Sequence, residues 1–254
     1  MSDPILEVSD LTKHYGGVHA VEGVSFTVEK GSITGLIGPN GAGKSSVLAV
    51  IGGFIPPTSG KVRFDGQDVT GQAMHVLARR GLVRTFQIAR VFGNLTTIEN
   101  LLVAAPRQKG EQLAGLVGGR GAWRGQEEEL VAEARETLKT FDMEAKMDEP
   151  ARHLSGGQRR AVEIMRALMM KPKLLLLDEP MAGLSPSLSR QLEDVLLRLV
   201  ADRDLSLLLV EHELDTVERI CGKVVVMAQG KVLSEGRMSE LRLRKKVQDA
   251  YVIG

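Results

Sequence analysis

Residues 32–45 read SITGLIGPNGAGKS, a mostly apolar run that is followed by a loop rich in glycine. The run Ser32 to Ile37 is short and does not alternate, which is typical of a strand buried in a sheet. The loop matches the pattern G-x-x-x-x-G-K-[ST], and the apolar run 47–51 after it predicts a helix. Glycines allow successive backbone N–H groups to point into one concavity at a helix N-terminus, where phosphate oxygens bind. The stretch therefore predicts a phosphate-binding loop.

Two residues of this loop carry side chains that suit a nucleotide. The ammonium group of Lys44 would reach the β- and γ-phosphates, and the hydroxyl group of Ser45 would ligate Mg²⁺. We expect the whole segment to contact the nucleotide. The predicted contact residues are Gly38, Pro39, Asn40, Gly41, Ala42, Gly43, Lys44, Ser45 and Ser46.

A second apolar run ends in two acidic residues. The four leucines 174–177 predict a buried strand, and Asp178 and Glu179 follow them directly. Asp178 would then lie at the carboxyl end of a strand, the edge where open α/β sheets bind ligands. We expect Asp178 to hold Mg²⁺ and Glu179 to polarise the attacking water as a general base.

The composition is that of an ordinary globular protein. The chain has 254 residues, 43% of them hydrophobic, and a formal net charge of +1, so it can bury a sizeable core but gives no support for bulk nucleic-acid binding. Cys221 is the single cysteine, and with five scattered histidines it predicts neither a disulfide nor a zinc site. We expect no membrane-spanning helix and no signal peptide, and a reducing cytoplasm fits this composition.

Strand and helix patterns alternate after residue 155, which predicts an α/β fold with a mainly parallel sheet. The predicted strands are 5–8, 24–28, 32–37, 61–64, 173–177, 207–210 and 224–226. Between them, the spacing of Leu130, Ala134, Leu138 and Phe141 predicts a helix with these residues on one face. The glycine-rich stretch 105–125 predicts an inserted surface loop.

A third motif, Leu-Ser-Gly-Gly-Gln, occupies residues 154–158 and opens a helical stretch. Its residues Ser155, Gly156, Gly157 and Gln158 predict a second anion-binding helix terminus. The phosphate chain of one nucleotide is not expected to need two such sites from the same subunit. This second site would therefore serve a nucleotide bound elsewhere, most simply on a partner chain.

With these motifs, practically the whole chain resembles the nucleotide-binding subunits of ABC transporters. The resemblance implies a P-loop NTPase core, an N-terminal antiparallel β subdomain and a helical subdomain that carries the signature motif. It implies one ABC ATPase domain with two lobes, a core lobe of residues 1–87 and 171–254 and a helical lobe of residues 88–170. It also implies a head-to-tail dimer in which two ATP molecules lie between the phosphate loop of one subunit and residues 155–158 of the other.

The resemblance assigns roles to further residues. Tyr15 matches the aromatic residue that stacks on adenine, and a ring over a flat base is a sound physical role. Gln87 matches the glutamine that touches Mg²⁺ and water and relays the nucleotide state to the transmembrane partner. His212 matches the histidine that contacts the γ-phosphate. Ser185 departs from the Asp of many members. It still makes a good N-cap before Pro186, but it lacks the carboxylate that contacts the other subunit across the dimer in those members.

Three segments look like those of the ATPase subunits of branched-chain amino acid importers, often called LivG. They are residues 90–104, the insertion ending in Ala122-Trp123-Arg124 and the tail 247–254. This implies transmembrane permease subunits as partners, a solute-binding protein as an indirect partner, and a peripheral position on the cytoplasmic face of the membrane. Urea and short-amide importers share these features, and lipopolysaccharide-export ATPases share some of them. The motifs also leave open a soluble ABC ATPase without a membrane partner, and a P-loop kinase or GTPase in which residues 154–158 only cap a helix.

Overall fold

The computed structural model describes residues 3–85, 91–106 and 121–253 of the chain. Contacts within the chain divide it into two compact units. The first unit comprises Met1–Gln87, Lys173–Ala182 and Leu196–Gly254, and the second comprises Ile88–Pro172 and Gly183–Val195. The lobes implied by the resemblance differ from these units at 171–172 and 183–195, and the division into a core lobe and a helical lobe stays a prediction.

Strands gather in the first unit, and the longer helices of the middle of the chain belong to the second. In chain order the elements are β1 (Leu6–Tyr15), β2 (Val18–Val28), β3 (Ile33–Ile37), α1 (Lys44–Ile51), β4 (Ser59–Phe64), β5 (Gln67–Asp68), α2 (Met74–Arg80), β6 (Leu82–Arg84), α3 (Thr97–Ala104), α4 (Gly121–Thr140), α5 (Gly156–Met169), β7 (Leu174–Asp178), α6 (Pro186–Arg203), β8 (Ser206–Val210), α7 (Leu214–Ile220), β9 (Lys223–Ala228), β10 (Lys231–Gly236), α8 (Met238–Leu241) and α9 (Lys245–Ile253).

Within the described ranges, the strands form one antiparallel sheet and one mainly parallel sheet. The first has the order β2-β1-β4-β5, and the second has the order β10-β9-β3-β8-β7-β6, with β10 antiparallel to its neighbour. Parallel pairing of β3 with β8 and of β8 with β7 brings the carboxyl ends of these strands to the same edge. The α/β fold with a mainly parallel sheet, predicted from the sequence pattern, is confirmed, and so is the N-terminal antiparallel β subdomain that the resemblance implies.

The three strands at the centre of the parallel sheet form part of the core. Every residue of β3, β7 and β8 is buried, as is usual for parallel strands covered on both faces, and apolar residues of these strands share one core cluster with residues of β1, β2 and α1. This burial explains the unbroken apolar runs in the sequence. The core thereby fixes where each of these strands ends, and with it the residues that follow.

The second unit is built from helices. Ala134 and Leu138 of α4 are fully buried, and Leu130 and Phe141 pack against the same apolar cluster, which confirms the predicted helix face. The helix begins at Gly121, so the last five residues of the loop predicted over 105–125 are helical, because extending a helix costs less than starting one. Residues 107–120 of that loop lie outside the described residues. In the part of the chain that the structure describes, no helix is long and apolar enough to cross a membrane.

Candidate functional site

The predicted phosphate loop, residues 38–43, joins β3 to α1. Gly43 is the N-cap of α1, and among the described residues no side chain caps this helix end, which leaves its first backbone N–H groups available to an anion. A Cβ atom added to Gly38 would lie 2.1 Å from the carbonyl oxygen of Met227, and one added to Gly43 would lie 2.3 Å from the carbonyl oxygen of Ala20. With φ angles of 150° and 98°, both positions require glycine.

The side chain of Lys44 is folded against this loop. The residue is only 6% exposed, and its Nζ donates to the carbonyl oxygens of Gly38 and Pro39 at 2.7 and 2.9 Å. Burial lowers the pKa of Lys44, whereas the charges of Glu179 and Asp178 act to raise it. A cation held by neutral carbonyl groups can exchange them for the charged oxygens of a phosphate, which bind it more strongly.

A cavity of about 290 Å³ lies beside the loop. Its lining comes from β2, the phosphate loop, α1 and the residues after β7 and β8. The lining residues are Ala20, Asn40, Gly41, Ala42, Gly43, Lys44, Ser45, Ser46, Glu179 and His212. All of them except Ala20 are candidate site residues of the sequence analysis, so the structure brings the loop, the candidate base and the candidate histidine to one place.

Glu179 and His212 contact each other at this cavity. Nε2 of His212 lies 2.6 Å from Oε1 of Glu179. The backbone of Glu179 has a φ angle of 49°, a left-handed conformation that is uncommon outside glycine and concentrates at functional sites. Its N–H donates to the Val210 carbonyl oxygen at 3.0 Å, which ties the end of β7 to the end of β8. A carboxylate held by an imidazole beside open space is suited to accept a proton.

Arg84, at the end of β6, is a site neighbour that no sequence motif indicates. Its Nη2 donates to Oδ2 of Asp178 at 2.9 Å, and the two side chains are 12% and 2% exposed. The guanidinium group also lies 5.0 Å from the ring centre of Phe54. Asp178 is thus at the carboxyl end of β7 as predicted, but a cation bound there would share its carboxylate with Arg84. In the sequence, the signal for Arg84 was its position as a basic residue directly after the apolar pair Leu82-Val83.

Glu211 is a second residue that the motifs do not indicate. It is buried after β8, where its Oε1 accepts from the Met181 N–H at 2.9 Å and its Oε2 accepts from the His212 N–H at 3.2 Å. Burial raises the pKa of Glu211 above its ordinary value, and the two backbone hydrogen bonds act in the opposite direction. The carboxylate links the segment after Glu179 to His212, so it positions both. Its signal in the sequence was an acid directly after a buried strand.

Tyr15 and Gln87 are not brought into this arrangement. Tyr15 ends β1, is 45% exposed and does not line the cavity; the ring lies 5.2 Å from Nζ of Lys13. The neighbouring strand β2 contributes Ala20 to the cavity. Gln87 lies outside the described residues, so its contact with Mg²⁺ stays a prediction.

The motif at 154–158 belongs to the second unit, where it caps its own helix. The Oγ of Ser155 accepts from the Gln158 N–H at 3.2 Å, and Oε1 of Gln158 accepts from the Ser155 N–H at 2.9 Å, which is a capping box at the start of α5. A Cβ atom at Gly157 would lie 3.1 Å from two leucine side chains, whereas one at Gly156 would meet open space. The motif has this local structural role, and its contact with a nucleotide stays a prediction.

Ser185 occupies the position before α6. Its Oγ accepts a hydrogen bond from the Leu188 N–H at 3.4 Å. This is the bond expected from an N-cap to the third helical residue. The predicted start of the helix at Pro186 is therefore confirmed.

Comparison with known proteins adds family information to this geometry. The sequence profile of the family described as ABC transporter matches residues 21–182. The high-affinity branched-chain amino acid transport ATP-binding protein BraF of Pseudomonas aeruginosa is 40% identical over 253 residues, which cover 99% of each chain. The probable branched-chain amino acid transport ATP-binding protein LivG of Archaeoglobus fulgidus is 40% identical over 248 residues, which cover 98% of this chain and 95% of that relative.

Solved structures are similar over nearly the same length. The ADP conformation of MJ1267, an ATP-binding cassette of an ABC transporter, superposes with a TM-score of 0.83 at 35% identity and 99% coverage of each chain. The dimeric post-hydrolysis structure of the ATP-binding cassette MJ0796, bound to ADP and Pi, has a TM-score of 0.75 at 26% identity. That comparison covers 92% of this chain and 98% of the other.

Proposed function

Because the chain belongs to the ABC transporter family and is an ATPase of that family, we propose that it powers the import of branched-chain amino acids through a membrane permease. The solute is supported by the relatives in Pseudomonas aeruginosa and Archaeoglobus fulgidus, which are named for branched-chain amino acid transport and align over nearly their whole length. The catalytic roles rest on one observation, the contact of Glu179 with His212 at the cavity beside the phosphate loop.

We expect the phosphate loop to bind the triphosphate of ATP. The backbone N–H groups at the start of α1 would donate to phosphate oxygens. Lys44 would exchange its bonds to the carbonyl oxygens of Gly38 and Pro39 for bonds to the β- and γ-phosphates. Tyr15 would stack on the adenine, since the residue is 45% exposed and an aromatic ring suits a flat base.

The donor set near the loop fits Mg²⁺. Ser45 lines the cavity and Asp178 ends β7, and hydroxyl and carboxylate oxygen atoms are among the ligands that Mg²⁺ prefers. Gln87 is proposed as a further oxygen ligand. When bound, Mg²⁺ supplies positive charge that neutralises the β- and γ-phosphates.

Glu179 is proposed as the general base of hydrolysis. It takes a proton from water while the water oxygen bonds to the γ-phosphorus, and the bond from that phosphorus to the β–γ bridging oxygen breaks. The products are ADP and inorganic phosphate. His212 orients the carboxylate through its 2.6 Å contact, and Lys44 with His212 stabilises the charge on the transferring group. Glu211 acts as a positioning residue through the backbone of His212.

We propose that the working unit is a dimer of this chain with a second copy or with a related ATPase. The partner's residues 155–158 would close over the nucleotide, and ATP would hold the dimer together until hydrolysis removes the γ-phosphate contacts. The dimeric structure of MJ0796 bound to ADP and Pi supports a dimer as the working unit. The Gln87 segment would relay the state of the dimer to permease subunits, so that the protein works at the cytoplasmic face of the membrane. A solute-binding protein would contact the permease only.

Two substitutions at Ser155 separate the local and the dimer roles of this residue. Ser155→Ala removes the cap of α5 and is expected to lower the free energy of unfolding by about 1 kcal/mol. Ser155→Asp keeps a good cap but places a negative charge near the partner's phosphates, and is expected to lower ATPase activity at least about tenfold, since like charges repel by several kcal/mol. Urea unfolding and phosphate release measure the two effects. Full activity of Ser155→Asp would exclude the proposed cross-dimer contact.

The solute assignment is tested with the assembled transporter. The chain is purified together with the permease subunits that bind it, reconstituted in liposomes and supplied with the matching solute-binding protein. We expect leucine, isoleucine or valine to stimulate ATP hydrolysis and to enter the liposomes. Stimulation by urea or a short amide in place of these amino acids would reject the proposed solute while leaving the ATPase assignment intact.

A further inference from the structure

A cluster of two histidines and a glutamate lies on the hairpin of β1 and β2, and we call it the hairpin cluster (His14, His19 and Glu22). His14 and His19 are direct partners in the register of the two strands, and their rings stack with centroids 3.9 Å apart. Nδ1 of His19 lies 2.6 Å from Oε1 of Glu22. One potential ligand atom from each of the three side chains lies within 4.8 Å of the other two.

We propose that the hairpin cluster binds a Zn²⁺ ion. Two imidazole nitrogens and one carboxylate oxygen are a set of ligands that zinc accepts, with water in the fourth position. In a tetrahedral site with zinc–ligand bonds of about 2.1 Å the donor atoms lie roughly 3.4 Å apart, so the ligand atoms of the cluster, which lie within 4.8 Å of one another, must move closer to bind the ion. The side chains of His14, His19 and Glu22 are half-buried or exposed, and zinc would replace the contact between His19 and Glu22.

The cluster is absent from the sequence pattern because the histidines are separated by four residues that include two glycines. Sequence spacing therefore predicted no zinc site. The antiparallel register places His14 opposite His19, and directly opposed side chains have Cβ atoms about 4.5–5.5 Å apart. The pairing of the strands thus creates a set of ligands that no linear motif describes.

Lys231 of β10 holds the other oxygen of the glutamate. Its Nζ lies 3.2 Å from Oε2 of Glu22, while Oε1 faces His19. Such outer partners orient a ligand for a metal. The imidazole nitrogens favour zinc and similar transition metals over Mg²⁺, so this site differs chemically from the oxygen ligands proposed at the nucleotide.

A bound ion would connect the two strands on either side of the turn at Gly16 and Gly17. His14 precedes Tyr15 in the chain, and His19 precedes Ala20, which lines the nucleotide cavity. Zinc would therefore restrict the end of the hairpin that carries both residues. This effect is a property of the backbone and can be measured without nucleotide.

Isothermal titration of the full-length, nucleotide-free chain with ZnCl₂ in Mg²⁺-free buffer tests the site. We expect one Zn²⁺ per chain. His19→Ala and Glu22→Ala should each weaken binding more than about tenfold, because loss of even an outer partner costs 10- to 100-fold. His75→Ala is the matched control, since this exposed histidine lies in α2 and outside the cluster.

Hydrogen exchange gives a second, independent readout. Zinc should slow the exchange of backbone amides in 14–22 in the parent chain and in His75→Ala, but not in His19→Ala. Thermal melts without metal confirm that all variants fold. The proposal is overturned if zinc does not bind, or if it binds with the same affinity after His14→Ala, His19→Ala and Glu22→Ala, because the ion would then lie elsewhere.

Discussion

Replacing Glu179 by Gln is expected to lower the rate of ATP hydrolysis by about 100- to 10,000-fold, the range typical of a lost general base. The amide has nearly the same shape as the carboxylate, so it fits beside His212, but it cannot take a proton from water. Binding of ATP should persist because the phosphate loop is unchanged. The variant is therefore expected to accumulate as a closed, ATP-loaded dimer.

Phosphate release under saturating Mg-ATP measures the rate, and size-exclusion chromatography with and without ATP measures the dimer. Glu136→Gln is the matched control, because this carboxylate lies on α4 with a side chain that is 67% exposed, and its ATPase activity should equal that of the parent. If Glu179→Gln hydrolyses ATP at the parental rate, another group accepts the proton. The 2.6 Å contact with His212 would then serve only to hold the loop after β7.

The apolar pattern predicted β3, β7, β8 and β9 of the mainly parallel sheet but missed β6 and β10. It also underestimated the antiparallel sheet. Strands β3, β7 and β8 are buried along their whole length, so each appears as an unbroken apolar run. Strand β1 continues to Tyr15 instead of ending near Val8. Its pairing with β2 shifts register after Val8, and Asp10 has a φ angle of 48°. A bulge of this kind interrupts the two-residue alternation on which the strand prediction depends.

At the candidate site, too, some residues can be predicted from the local sequence, whereas others depend on how distant strands pair. The residues of the phosphate loop and Glu179 are recognisable because each lies at a fixed place after a strand. His212 also follows a strand, but only the family resemblance assigned it a role. Arg84 and Glu211 are not recognisable, because a buried charge in the sequence looks the same as a charge on the surface. Arg84 reaches Asp178 only because β6 pairs with β7 in parallel, with Arg84 opposite Leu176. Strand order and register decide this contact, and neither follows from a motif.

Gly43→Ala is expected to reduce kcat/KM for ATP by at least about 100-fold, the loss typical when one oriented hydrogen-bond donor is removed. The new Cβ atom would lie 2.3 Å from the Ala20 carbonyl oxygen. The start of α1 must therefore move, and several N–H donors move with it. The φ angle of 98° adds about 1–2 kcal/mol of strain, and the overpacking adds about 1–3 kcal/mol.

Gly41→Ala separates the clash from the strain in the same loop. Gly41 has a φ angle of 78°, but among the described residues nothing lies within 4 Å of the position of its Cβ. Gly41→Ala should lower the free energy of unfolding only by the strain of a left-handed conformation, about 1–2 kcal/mol. Urea unfolding should therefore show a larger loss of stability for Gly43→Ala. Equal losses would mean that the contact with Ala20 yields at no cost. The close approach of the β2 backbone would then not be the reason for glycine before Lys44, and the requirement would have to come from the bound phosphate itself.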